Sequence, residues 1–287
     1  MSIKRITPVL CLIFAALARF PPPASAQGGP PFRSDDPDTP GNKRWEINTI
    51  LVGDQGPSGG LYSVPDIDIN YGIGSRIQLS YEAPLSLQQS AGASGHVAGG
   101  LGNSLLGVKW RFYAHHPKSK ESEQVDKKES TFGISIYPQL LLNNPTGSIR
   151  RDVVEPGPQF LLPVEANAKI GPIRVSGEFG YWFTNKDVPN SWIRGVIAGH
   201  EFRNKTELDF ELYDQAATRA TADEPKLRES TLDIGFRTPV VSNGSVWFMG
   251  MAGRSLVTAT PANGQPSWIA SVGFQILTGK RRRNSSD

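Results

Sequence analysis

Apolar and polar residues alternate one by one through most of this chain, from Trp45 to Leu277. In Asp66-Ile67-Asp68-Ile69-Asn70-Tyr71 one side is Ile67, Ile69 and Tyr71, and the other is Asp66, Asp68 and Asn70. Successive side chains of a strand point to opposite faces, so such a run makes a strand with one apolar and one polar face. Arg76 to Glu82 repeats the pattern with Ile77, Leu79 and Tyr81 opposite Arg76, Gln78, Ser80 and Glu82. Val108, Trp110 and Phe112 alternate with Lys109 and Arg111. Val175, Phe179, Tyr181 and Phe183 oppose Arg174, Ser176 and Glu178. Leu208, Phe210 and Leu212 oppose Glu207, Asp209 and Glu211; Leu232, Ile234 and Phe236 oppose Asp233 and Arg237. No segment carries a comparable helical stripe.

The pattern predicts about twelve strands, near 45–52, 64–71, 76–83, 104–113, 131–142, 159–170, 173–183, 191–203, 206–214, 229–238, 245–254 and 267–277. Several exceed the usual globular length of about five or six residues and match the roughly 9–11 that a tilted strand needs to cross a bilayer. Short connections (72–75, 171–172, 204–205, 240–244) alternate with longer ones (53–63, 84–103, 143–158, 184–190, 215–228, 255–266). That is the rhythm of an outer-membrane barrel, with short periplasmic turns and long outer loops. The charged stretch 114–130 is long where a short turn is expected. Aromatic residues such as Trp45, Tyr71, Tyr81, Trp110, Phe112, Phe183 and Trp268 fall toward strand ends, as in an interfacial girdle. A soluble β-sandwich would alternate too, but with shorter strands.

The start of the chain agrees. Met1–Arg5 is basic, Ile6–Ala18 is apolar, and Ala24-Ser25-Ala26 offers an A-x-A cleavage site, so residues 1–26 read as a secretory signal. The apolar run is too short to span a membrane. The only cysteine, Cys11, lies inside it. Lys4, Arg5 and Arg19 also lie there, and removing them cancels the formal charge of +3. Binding to nucleic acid through overall charge is therefore not expected. After the signal no run is long and apolar enough to be a membrane helix, so a membrane form must be a closed barrel.

Several segments resemble an outer-membrane β-barrel family named for the meta pathway of phenol degradation. They are Pro30-Pro31-Phe32-Arg33-Ser34-Asp35-Asp36-Pro37, Trp45-Glu46, Pro65 to Gly72, Arg76 to Leu79, Gly102-Asn103 with Gly107 to Phe112, Tyr137-Pro138 with Pro145-Thr146-Gly147, and Gly180-Tyr181-Trp182. The resemblance covers most of the chain after residue 26. It implies an outer-membrane barrel acting as a channel or transporter, with only a faint pointer to small hydrophobic or aromatic solutes. One departure is the C-terminus. Many such barrels end on an aromatic residue read during assembly, whereas here Phe274 is followed by Thr278 to Asp287.

The expected fold class is thus all-β: an antiparallel, up-and-down transmembrane barrel of about 12 strands over 44–278. A signal peptide (1–26) and an extended, loosely held proline-rich leader (27–43) precede it, and a flexible basic tail (279–287) follows. The polar faces then line a pore, with Asp66, Asp68, Arg76, Glu82, Lys109, Arg111, Arg174, Glu178, Glu207, Asp209, Glu211, Asp233 and Arg237 as the named candidates and Glu46, Glu165, Lys169 and Arg254 beside them. Glu207, Asp209 and Glu211 share one strand face and require facing bases. The alternatives are a barrel plugged by its own side chains and, more remotely, an outer-membrane hydrolase using His200.

No catalytic residue, cofactor or metal site is expected. No G-x-S-x-G elbow occurs. Asp66-x-Asp68-x-Asn70 places its glycine one position late for a calcium loop and lacks the closing Glu. His115-His116 has no companion ligands at metal spacing. The expected partners are outer-membrane lipid and lipopolysaccharide, the barrel-assembly machinery and a small-molecule solute, in the bacterial outer membrane.

Overall fold

A computed structural model describes residues 29–56, 59–90, 96–115, 131–151, 153–185, 188–220, 228–257 and 267–278. The expected signal peptide, most of the charged stretch 114–130 and the basic tail lie outside the described residues.

Fourteen strand segments form one antiparallel sheet: β1 (Trp45–Gly56), β2 (Gly59–Ile73), β3 (Ile77–Ser90), β4 (Val97–Leu101), β5 (Ser104–His115), β6 (Phe132–Ile136), β7 (Gln139–Leu142), β8 (Gln159–Ile170), β9 (Ile173–Phe183), β10 (Ser191–Glu201), β11 (Glu207–Ala217), β12 (Arg228–Pro239), β13 (Val246–Val257) and β14 (Trp268–Thr278). The segments β4 and β5 are two halves of one wall strand, both paired to β3. Likewise β6 and β7 both bridge β5 and β8. The wall therefore has 12 strands, and β1 pairs with β14 from Trp45↔Thr278 to Gln55↔Trp268, which closes it. Closure pairs β1 with β14, the two strands that would otherwise be edges of an open sheet.

Both interruptions have local causes. Pro84 has no N–H for the ladder. At that level Gly102 donates to the Pro84 carbonyl at 2.7 Å, and a Cβ on Gly102 would lie 2.6 Å from Pro84 Cγ. The second break is Tyr137-Pro138. The Tyr137 ring turns inward against Gly107, where a Cβ would come within 2.6 Å of it, and the Pro138 carbonyl accepts from Val108 at 3.0 Å.

The alternation read from the sequence is inverted relative to a soluble protein. On β11, Asp209 and Glu211 are 0% exposed, while Phe210 and Leu212 are each 50% exposed. Far more large hydrophobic side chains are exposed than buried among the described residues. Leaving such a side chain in water forgoes about 1.5–3 kcal/mol, so a wall of this kind is stable only against lipid. Trp45 and Tyr71 meet outside the barrel at 4.6 Å between ring centroids, and Phe179, Tyr181 and Trp192 form another outer aromatic group.

The turns 74–76, 171–172, 202–206 and 240–245 gather at one end with the start of β1 and the end of β14. Two connections expected to be long are not. Strand β1 runs to Gly56 and β2 begins at Gly59, and β3 runs to Ser90 before β4 begins at Val97. Bulges between Ile50 and Val52 on β1 and between Ser63 and Asp66 on β2 interrupt the register without ending the strands.

Candidate functional site: the barrel lumen and the segment inside it

The largest departure from expectation is the leader. Residues 29–43 are not loosely held but run inside the barrel. A tight turn opens the segment, with Gly29 N–H donating to the Ser34 carbonyl at 2.7 Å and Phe32 N–H to the Gly29 carbonyl at 3.0 Å. Phe32 packs with Ile197, Met251 and Ile269. Gly235 makes room for it, since a Cβ there would lie 2.5 Å from Phe32 Cζ. A Cβ on Gly195 would collide with Ser34 Oγ. Two glycines, on the strands β10 and β12 that flank β11, thus form the seat of the segment.

Charge pairs hold it along its length. Arg33 reaches Asp54 at 3.1 Å and Glu229 at 3.5 Å, and its guanidinium lies 5.4 Å from the Tyr213 ring centre. The backbone N–H groups of Arg33 and Ser34 donate to the two oxygens of Glu211 at 3.1 and 2.7 Å. Asp35 pairs with Lys109 at 2.9 Å, and its N–H donates to Glu178 at 3.3 Å. Lys109 also pairs with Glu165 at 3.3 Å and donates to the Asp36 carbonyl. Asp38 bridges Arg111 at 2.6 Å and Arg174 at 2.9 Å. Near the turn-bearing end, Lys43 N–H donates to the Gly72 carbonyl at 2.8 Å and hands the chain to β1.

Most of the named candidates face this interior. Lys109, Arg111, Arg174, Glu178, Glu207, Asp209, Glu211, Asp233 and Arg237 are buried, and Asp66, Asp68 and Glu82 are half-buried and line the cavity beside the leader. Arg76 does not belong with them. It sits exposed in the turn between β2 and β3, where the strand parity that placed it inside no longer applies. Arg254 is also exposed on the outer wall, its guanidinium 5.3 Å from the Trp268 ring centre. Bases are found near two of the three acids of β11: Glu207 pairs with Arg237 at 2.7 Å, and Asp209 lies in the field of Arg237 and Arg174. Glu211 is answered by leader backbone, and neither oxygen of Asp209 has a hydrogen-bond partner among the described residues.

The leader contacts themselves were missed by sequence reasoning. The alternating Arg33, Asp35, Asp36, Asp38 was the available signal. The cavity remaining between leader and wall is about 430 Å³. His200, the base of the hydrolase alternative, places Nδ1 2.8 Å from the Pro172 carbonyl at the turn-bearing end, and no serine hydroxyl reaches it among the described residues.

A closed antiparallel wall, apolar outside and charged within, defines a transmembrane β-barrel of the porin type. Solved structures with the same fold include an outer-membrane channel from Pseudomonas putida F1, at 10% identity and TM-score 0.62 over 86% of this chain and 100% of that one. The NanC porin is a second, at 5% identity and TM-score 0.53 over 80% of this chain and 98% of that one. No protein-family model matches the sequence, so the resemblance to the phenol meta-pathway family rests on its motifs alone. A search of curated proteins by sequence returns no match either.

Proposed function

We propose that this protein is an outer-membrane channel or transporter for small molecules whose own leader occupies most of the lumen. The single observation that carries this reading is a charged interior, closed to lipid, that is filled by a segment of the chain held mainly through polar contacts rather than by the wall's own side chains. The polar groups that hold the segment can be solvated by water once it leaves, so its release exposes little apolar surface beyond Phe32. The barrel is embedded in outer-membrane lipid through its apolar outer face. The apolar residues in the outer half of the lumen, among them Ile50, Trp182, Ile193 and Met251, favour solutes with a hydrophobic or aromatic part.

A second reading, a non-conducting structural barrel, is favoured by the same leader. Single-channel conductance in a planar bilayer, across a salt gradient, separates the two. The chain from residue 27 is compared with its Asp35→Asn/Asp38→Asn variant. The channel reading expects small or infrequent steps from the parent and larger, more frequent steps from the variant. Silence from both, with folding confirmed, leaves the structural barrel.

A further inference from the structure

The leader's ion pairs gather on one side of the lumen, while another side carries acids that form no ion pair among the described residues. Its acids Asp35 and Asp38 take up Lys109, Arg111 and Arg174. On β1, β2 and β3 stand Glu46, Asp66, Asp68 and Glu82, with Asn48 opposite Asp68 and Asp68 opposite Glu82 in register. No lysine or arginine forms an ion pair with any of these four among the described residues.

The hydrogen-bond inventory of this wall is one-sided. Asn48 donates its amide hydrogens to Glu46 at 3.2 Å and Asp68 at 2.9 Å. Asn70 donates to Asp68 at 2.8 Å. Gln78 donates to Asn70 at 2.8 Å and to Ser80 at 3.0 Å, and the Ser80 hydroxyl donates to Asn70 at 2.6 Å. Asp66 and Glu82 are hydrogen-bonded to each other and share one proton between them, while Glu46 and Asp68 keep acceptor capacity beyond the donors named here. Gln78 is only 6% exposed and lines the cavity. Asp66 Oδ1 and Asn48 Oδ1 are buried and unpartnered. An ionised carboxylate and an amide carbonyl can only accept, so what completes Glu46, Asp68 and Asn48 must donate.

The same cavity of about 430 Å³ has a second tier of different character. Ile50 follows Asn48 by two residues on β1, and Val52 by four; Met251 and Ile269 adjoin them on β13 and β14. Leu161 and Trp182 face this tier from β8 and β9.

From these two tiers we infer that the cavity binds a protonated organic amine. The ammonium seats against Glu46, Asp68 and Glu82, and an apolar body of aromatic size lies against Ile50, Trp182 and Met251. An organic anion of the same shape meets acids that form no ion pair among the described residues, and a bare cation gains nothing from the apolar tier. This names the solute class for the channel proposed above and rests on that reading only for the route of access.

Binding is measured by titration calorimetry on the detergent-folded chain, with phenethylammonium chloride, sodium phenylacetate and potassium chloride as probes. Phenethylammonium is expected to bind at least about tenfold more tightly than phenylacetate, and Asp68→Asn/Glu82→Gln to remove about tenfold or more of that affinity, as loss of charge-assisted hydrogen bonds does. Folding of the variant is checked by its heat-dependent mobility shift. If the variant does not fold, the comparison of probes on the parent decides alone. Equal or tighter binding of phenylacetate, full competition by potassium at matched concentration, or no binding of the amine to folded protein each overturns the proposal. Conductance is read separately. Amine binding by a silent barrel keeps the site and removes the channel, and conductance without amine binding does the reverse.

Discussion

Asp38 of the leader lies 2.6 Å from Arg111 of β5, a residue 73 positions away along the chain. A second oxygen of the same carboxylate meets Arg174 on β9 at 2.9 Å, so one acid ties the leader to two strands of the wall. Removing it leaves two guanidinium groups without their shared anion. Asp38→Asn is therefore expected to weaken docking of the leader by about 2–5 kcal/mol, the range for truncating one partner of a hydrogen-bonded charge pair. The measurement is the open fraction in single-channel records, which should rise at least tenfold, by the relation of free energy to population. An unchanged open fraction means that Asp38 does not hold the leader.

The seat at Gly195 gives a steric counterpart. A side chain there occupies the space of Ser34 Oγ, while the strand itself tolerates substitution on its inner face. Gly195→Val is expected to expel the leader and leave the barrel closed. With Ser34→Cys added, a water-soluble maleimide should label the thiol rapidly in the Gly195→Val background and slowly in the parent. The assay has little background because Cys11, the only cysteine, lies in the expected signal segment. Equal labelling rates in both would rule out displacement.

Glu207 and Arg237 test the wall rather than the leader. Their side chains are each 3% exposed and 2.7 Å apart. Glu207→Ala removes the ion-pair partner that lies 2.7 Å from a buried guanidinium and should destabilise the barrel by about 3–5 kcal/mol. Adding Arg237→Ala should recover part of that loss, because the buried cation goes too. Denaturant unfolding in lipid vesicles supplies the numbers. A double variant no better than Glu207→Ala shows that the two residues are not coupled.

On the outer face the prediction separates lipid from water. Phe210 is exposed at the middle of β11. Phe210→Lys should cost about 2–4 kcal/mol in vesicles if that position sits near the bilayer midplane. A solvent-exposed Phe on a soluble sandwich would tolerate lysine within about 0.5 kcal/mol. A negligible change would contradict the membrane-spanning assignment.

How far the sequence reaches depends on the range of the interaction. The period of two is local, because each residue's side is set by the pleat, so alternation alone separated Asp209 and Glu211 from Phe210 and Leu212. Strand length and turn spacing likewise indicated the twelve-strand wall. Arg76 was misplaced because parity stops having meaning one residue outside a strand. The stretches 53–63 and 84–103 were read as loops because proline and glycine mark a break in the local pattern without saying whether the strand continues through it.

The sequence by itself determined the class of fold and the polarity of its two faces, through alternation that every strand carries within itself. Only the tertiary structure decided what the lumen contains. Asp38 finds Arg111 and Arg174, Arg33 finds Asp54 and Glu229, and Ser34 finds Gly195 through closure of the barrel, which brings positions far apart in the chain to one axis. The leader has no period and little apolar content to announce its place. Its position is set by charges whose partners lie on four different strands, β1, β5, β9 and β12, and pairings of that kind exist only once the wall has closed.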